Sequence, residues 1–243
     1  MIENKPMKNP GPGQKELHEH IKGRGVISNL ALGLSDGLVT NISFLAGFGG
    51  AISNISVIRI AGFAVMLAGA VSMFFGGLLS GRAERELFKA DAARERSEIE
   101  SEPEEEKEEL RSLYMKKGLT RKEAGMVVKR VTSDKRKWLD DLLTEELHLH
   151  EAELEDPLKI AAATGMAFLI GALVPLVPYL LFSIKSQALP SSVILSLIFL
   201  FAAGYWKGHL VGRRKWQSAL ELLIVGVVAS VLLYAFGSLL AFA

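Results

Sequence analysis

Residues 27–51 read ISNLALGLSDGLVTNISFLAGFGGA, an apolar run long enough to cross a bilayer as a helix. Asp36 is its one charged residue. At 1.5 Å of rise per residue, Asp36 lies about 14 Å in from Ile27, near the middle of a ~30 Å hydrocarbon layer. A carboxylate at that depth costs about 2.5–3.5 kcal/mol on insertion scales, so it is expected to face a bundle interior or a wet path. Gly33 and Gly37 flank it at small-xxx-small spacing, which lets another helix approach the backbone. Ser35 and Asn41 add polar groups nearby. The functional reading puts Asp36 on a cation or proton path. The bland reading pairs it with a basic group or keeps it protonated.

The remainder of the 243 residues follows the same segregation of apolar runs from charge. Hydrophobic residues make up 49% and the net charge is +1, so nothing points to nucleic acid as a partner. The absence of cysteine removes disulfides, thiolate metal sites and cysteine nucleophiles. Residues 1–25 are polar, contain NKPMKNPGPGQK, and lack the apolar core of a cleavable signal. They are read as a disordered tail with a short amphipathic stretch near Leu17–Ile21. His18 and His20 there stand two apart and share no helical face.

A second span is expected over about Val57–Gly81. Its many small residues, with Gly77 and Gly81 four apart, argue for tight helix packing rather than lipid exposure. Met66 and Met73 lie in it. Core filler is their ordinary role, although Met73 opposite Asp36 would offer a thioether to a metal. Three further spans are expected: Leu158–Ile184, kinked at Pro175 and Pro178, then about Ser191–His209 and about Ser218–Phe242. The fold class is therefore an all-α membrane protein. Its domains are a tail (1–25), spans one and two (26–81), a charged helical insert (82–157) and spans three to five (158–243). Lys5, Lys8, Lys15, Lys22 and Arg24 precede span one; Lys207, Arg213, Arg214 and Lys215 lie between spans four and five; the opposite side holds Arg59 and Lys185. The positive-inside rule then places the N-terminus and insert in the cytoplasm and the C-terminus outside. A prokaryotic cell membrane is the expected location.

The insert is read as helices. The first continues span two, and Pro103 interrupts it. A second ends at Lys117 with Gly118 as its cap; a third starts at the capping box Thr120-x-x-Glu123. A fourth, about Lys135–Glu153, carries Trp138, Leu139, Leu142, Leu143 and Leu147 on one stripe. The densest acidic run is RERSEIESEPEEEKEEL, residues 94–110. Glu95 and Glu98 share a helical face, as do Glu106 and Glu109. A fold-back at Pro103 would bring the four carboxylates together, with Glu146 as a fifth ligand. Such a hard oxygen site suits Fe²⁺, Mn²⁺ or Mg²⁺; the bland reading is a solvated, weakly paired acidic surface. His148, His150, Glu151 and Glu153 match no ligand signature and are read as a solvated helix end. No nucleophile elbow, phosphate loop or zinc motif is present, and an enzyme is not expected.

Several segments together carry a resemblance: GLSDGLVTNISFLAGFGGA, AGAVSMFFGGLLSG, SEIESEPEEEKEELRSLYMKKGL, KRKWLDDLLTEELHL and GALVPLVPYLL. With these the sequence resembles the vacuolar iron transporter family across most of residues 24–240. The resemblance implies a homodimer of five-span subunits exchanging Fe²⁺, and often Mn²⁺, for protons, with no organic cofactor. It implies a membrane metal site at Asp36 and Met73, and insert ligands at Glu95, Glu98, Glu106, Glu109 and Glu146. Two departures stand out. Val65 occupies a position that is glutamate in some members, and Leu142 and Leu143 stand where some carry methionine. The first would alter proton coupling or ion choice, and the second would leave the insert site all oxygen. Two rival readings are a membrane-anchored divalent-metal sensor or buffer without transport, and a structural scaffold with an acidic surface.

Overall fold

The structure is a computed structural model that describes residues 24–147 and 156–241. The N-terminal tail and the cluster His148, His150, Glu151 and Glu153 lie outside those residues. The described chain is helical throughout, with eight helices and no strand among the described residues. In chain order they are α1 (Arg24–Ala51), α2 (Ile55–Ser101), α3 (Pro103–Lys116), α4 (Arg121–Val131), α5 (Lys135–Glu145), α6 (Pro157–Leu181), α7 (Lys185–Leu210) and α8 (Lys215–Ala241). Two compact units result, one containing residues 24–79 and 156–241 and the other residues 80–147. Helix α2 runs through the boundary without a break.

In the first unit, α1, the start of α2, α6, α7 and α8 are each long and apolar enough to span a membrane. Helices α1 and α6 are the most buried and α8 the least. The α1–α6 seam is set by glycine. A Cβ on Gly33 would collide with the Thr164 carbonyl, one on Gly37 with the Phe168 carbonyl, and one on Gly171 with the Leu34 carbonyl. The spacing Gly33-x-x-x-Gly37 therefore brings two backbones together as expected. Below this seam, Leu45, Ile58, Met66, Phe168, Leu176 and Tyr179 pack into one apolar cluster.

Helix α2 corrects one expectation. Its small residues pack closely on one side only. A Cβ on Gly62 would lie 2.7 Å from Leu176, and one on Gly77 would lie 3.2 Å from the Ala161 Cα, while Gly76 faces open space. Ile60, Leu67, Val71, Phe75 and Leu79 form an exposed apolar stripe at i+4 and i+7 spacing. Helix α7 also begins earlier than expected. It starts at Lys185 rather than about Ser191 and runs through Pro190. Burial of Ala188 and the packing of Leu189 on the apolar cluster offset the lost backbone bond.

Arg59 and Lys185, the two basic residues expected on the side opposite the insert, are built into helix ends. The Arg59 guanidinium donates to the carbonyls of Tyr179 and Phe182, closing the C-terminus of α6. The Lys185 ammonium donates to the Ile52 carbonyl, 3.1 Å away, just past α1. Both oppose the negative end of a helix dipole. At the other end of α6, Pro157 occupies the first turn and the Asp156 carboxylate accepts from Leu158 N–H.

In the second unit, Ile99, Leu110, Val128, Trp138 and Leu142 form the core. Pro103 opens α3 directly after α2 ends. Helix α3 closes as expected: Gly118 has φ +98, its N–H bonds the Met115 carbonyl, and Leu119 N–H bonds that of Tyr114. The capping box at Thr120 and Glu123 opens α4. Tyr114 Oη donates to the Asp141 carboxylate, tying α3 to α5.

Candidate metal sites

The insert core fixes where its carboxylates go. On α2, Glu95 stands one turn before Ile99. On α3, Glu106 stands one turn before Leu110, and Glu146 follows Leu142 by one turn at the end of α5. Residues four apart share a helical face. Burying Ile99, Leu110 and Leu142 together therefore draws the three glutamates to one point. One carboxylate oxygen of each lies within 4.8 Å of the others. An ion bound at about 2.1–2.5 Å from each oxygen holds opposite ligands about 4–5 Å apart, so the gap matches one divalent cation.

The electrostatics of the triad call for a positive charge. Glu95 and Glu106 are buried. One oxygen of Glu106 and one of Glu146 are buried with no hydrogen-bond donor among the described residues. Burial, then the charges of Glu95, Glu109, Glu146 and Glu98, pushes the Glu106 carboxyl up to about 7. Burial and the charges of Glu109, Glu95 and Glu98, partly offset by Arg94, push Glu146 up to about 7. Glu95 is raised chiefly by burial, against a hydrogen bond from Arg94 at 3.3 Å. Two carboxyls that titrate near neutrality take up protons when no cation is present and yield them to one that binds.

Glu98 and Glu109 stand beside the triad, contributing charge but no oxygen to the 4.8 Å set. Glu98 is 40% exposed and 3.9 Å from the Arg94 guanidinium; Glu109 is exposed. Glu145 turns away and pairs with Lys117. Leu142 lies in the unit's core and Leu143 is also buried.

In the membrane unit, Asp36 is half-buried on α1. Thr40 Oγ1 donates to its Oδ1 at 3.3 Å. Among the described residues no lysine, arginine or histidine forms an ion pair with it. Asn29, Asp36, Thr40 and Ser43 fall within about 60° of one another around α1 and extend about 21 Å along it. They make a polar stripe with the acid in its middle. Asn29 Oδ1 accepts from Thr164 on α6, and Ser43 is buried with no hydrogen-bond partner for its hydroxyl among the described residues. Asn41 lies off the stripe, donates to the Ala172 carbonyl, and leaves its buried Oδ1 without a donor among the described residues. The spacing i, i+7, i+11, i+14 was the available signal for Asn29, Thr40 and Ser43, which the charge at Asp36 overshadows. Met73 is half-buried against the Phe168–Met66 cluster. Val65 is half-buried on the same helix.

Comparison with known proteins adds an independent line. The model of the VIT family matches residues 27–238. The chain is 32% identical over 228 residues to vacuolar iron transporter 1 of Eucalyptus grandis, covering 91% of this chain and 92% of the relative. It is 33% identical over 215 residues to vacuolar iron transporter 1 of Oryza sativa subsp. japonica, covering 88% and 85%. It is 31% identical over 235 residues to a vacuolar iron transporter of Toxoplasma gondii, covering 93% and 78%. These plant and parasite relatives lend no support to the expected prokaryotic membrane.

Proposed function

The chain belongs to the VIT family, and from that membership we propose that it carries Fe²⁺, and Mn²⁺ with it, through the membrane and out of the cytosol. The observation that carries the reading is the Asp36 carboxylate on a buried spanning helix with no basic counter-charge among the described residues. An uncompensated acid at that depth is costly unless a mobile cation or proton visits it.

In this account Glu95, Glu106 and Glu146 collect the ion on the cytosolic side, with Glu98 and Glu109 deepening the local negative field. Asp36 receives it within the membrane, where Thr40 orients the carboxylate and Asn29 and Ser43 offer oxygens along the same face. Met73 supplies a softer contact, favouring Fe²⁺ over Mg²⁺ or Ca²⁺. A proton from the far side competes for Asp36 and releases the ion, making the cycle an antiport. Two copies form the working unit, the second covering the apolar stripe of α2. The N-terminus and insert face the cytosol. Loading the triad cancels repulsion among its carboxylates, which lets the ion change the packing of the insert.

Val65 favours a second reading, a membrane-anchored sensor or buffer, because the acid that some members carry there is replaced by an apolar side chain. Proteoliposomes separate the two. Uptake of Fe²⁺ or Mn²⁺ that depends on Asp36 supports transport; stoichiometric binding with no flux supports the sensor.

A further inference from the structure

A cavity of about 580 Å³ lies between the N-terminal turns of α1 and the C-terminal end of α7. Its walls include Ile27, Ala31, Leu32 and Leu210, and its polar lining includes Ser28 and Lys207. Apolar walls with one charged group describe a site for an amphiphile, and the volume falls in the range of small-ligand sites. The surface next to it is basic. Lys207 is followed by His209, Arg213, Arg214 and Lys215, and among the described residues their one ion pair is Arg213 with Glu221, at 3.8 Å. Aromatic residues mark the same level. Tyr205 meets Trp216 edge-on at 5.6 Å, Lys215 Nζ lies 5.7 Å over the Tyr205 ring, and Trp206 and Trp216 are exposed. Tryptophan and tyrosine collect at the headgroup depth of a bilayer. Gly212, at φ +69, turns the chain between α7 and α8 and keeps the basic residues together.

We infer that this cavity binds an acidic phospholipid, its phosphate held at Lys207 and an acyl chain lying along Ile27, Leu32 and Leu210. A net-neutral lipid would leave the basic cluster uncompensated, and a free phosphate would leave the apolar walls wet. Each basic residue near an anionic membrane surface contributes about fivefold in affinity, so Lys207 supplies a measurable share of the selectivity.

The chain has no cysteine, so Ser28→Cys places a single thiol in the lining of the cavity, at an exposed position. The full-length variant, purified in detergent and stripped of lipid, is labelled with a maleimide in the presence of phosphatidylglycerol, phosphatidylcholine or inorganic phosphate. Phosphatidylglycerol is expected to slow labelling at least about fivefold while the other two leave it unchanged. Adding Lys207→Gln is expected to lower the affinity for phosphatidylglycerol about fivefold, with the thermal unfolding temperature unaltered because Lys207 is exposed. Five outcomes overturn the assignment. Phosphatidylcholine protects equally; phosphate protects equally; nothing protects; the affinity for phosphatidylglycerol is unchanged by Lys207→Gln; or the thiol is occupied before lipid is added. In the last case an unreactive monomer identifies residues 1–23 as the occupant, and an oxidative cross-link between copies identifies a second subunit.

Discussion

Thr40 Oγ1 donates a hydrogen bond to Asp36 Oδ1 across 3.3 Å, one helical turn further along α1. The contact holds the acid in place without cancelling its charge, as the proposed transient ion stop requires. A hydrogen bond to a charged group contributes about 1.5–3 kcal/mol when well buried; Asp36 is half-exposed in one chain, so about 1 kcal/mol is the fair figure here. Thr40→Val is expected to reduce the initial rate of Fe²⁺ uptake into proteoliposomes about fivefold while leaving thermal unfolding unchanged. An unaltered rate would remove Thr40 from the account.

Metal binding by the insert should depend steeply on pH. Glu106 and Glu146 are both pushed up to about 7, chiefly by burial. A cation binds the ionised carboxylates, so affinity rises with pH and levels off above about 7. Calorimetry of Mn²⁺ binding in buffers of different ionisation enthalpy is expected to show nearly two protons released per ion at about pH 6 and few at about pH 8. The stability of the metal-free insert should move the other way. A carboxyl whose folded pKa lies above its unfolded value of 4.5 contributes most at low pH. That contribution fades as pH rises from about 4.5 through 7, and bound metal restores it.

Substitutions within the acidic group should separate ligands from bystanders. Glu106→Gln removes one of the three converging carboxylates. It is expected to weaken Mn²⁺ binding roughly a hundredfold, at or beyond the upper end of the 10–100-fold that losing an outer partner costs. It should also raise the unfolding temperature of the metal-free protein, since a buried, mutually repelling acid is gone. Glu109→Gln, on an exposed side chain, should weaken binding no more than about fivefold through lost long-range charge. Equal effects of the two would favour a diffuse acidic surface over a defined site.

The α1–α6 seam offers a test of packing with a built-in control. A Cβ on Gly37 would collide with the Phe168 carbonyl and lie 2.9 Å from the Ala172 nitrogen, both rigid backbone atoms. Gly37→Ala is expected to cost about 1–3 kcal/mol or more and to reduce transport, because the helix carrying Asp36 must shift. Gly76→Ala meets nothing within 4 Å and should be neutral in both assays. Thermal unfolding in detergent measures the difference.

The spans were readable because an apolar run of membrane length has few alternatives, and the insert's turns because Pro103, Gly118 and Thr120 act locally. Which acids converge was not readable. Glu95 and Glu98 share a face, as do Glu106 and Glu109, so spacing alone treats each pair as equivalent. Tertiary packing separates them: Ile99 and Leu110 are buried and carry Glu95 and Glu106 inward one turn away, whereas Glu98 is followed at that distance by exposed Glu102. The exposed stripe of α2 escaped notice because small residues mark close approach without saying on how many sides. The residues of α7 before Ser191 were not readable because helix propensity is a local term, whereas the burial of Ala188 and the packing of Leu189 carry the helix back to Lys185.

The decisive measurement is Fe²⁺ uptake into proteoliposomes by Asp36→Asn, which keeps the side chain's shape and removes its charge. Uptake no faster than in protein-free liposomes, with stoichiometric binding retained at Glu95, Glu106 and Glu146, is the result expected. Uptake equal to that of the unsubstituted protein would contradict the account, leaving the glutamate triad as a binding site with no path behind it.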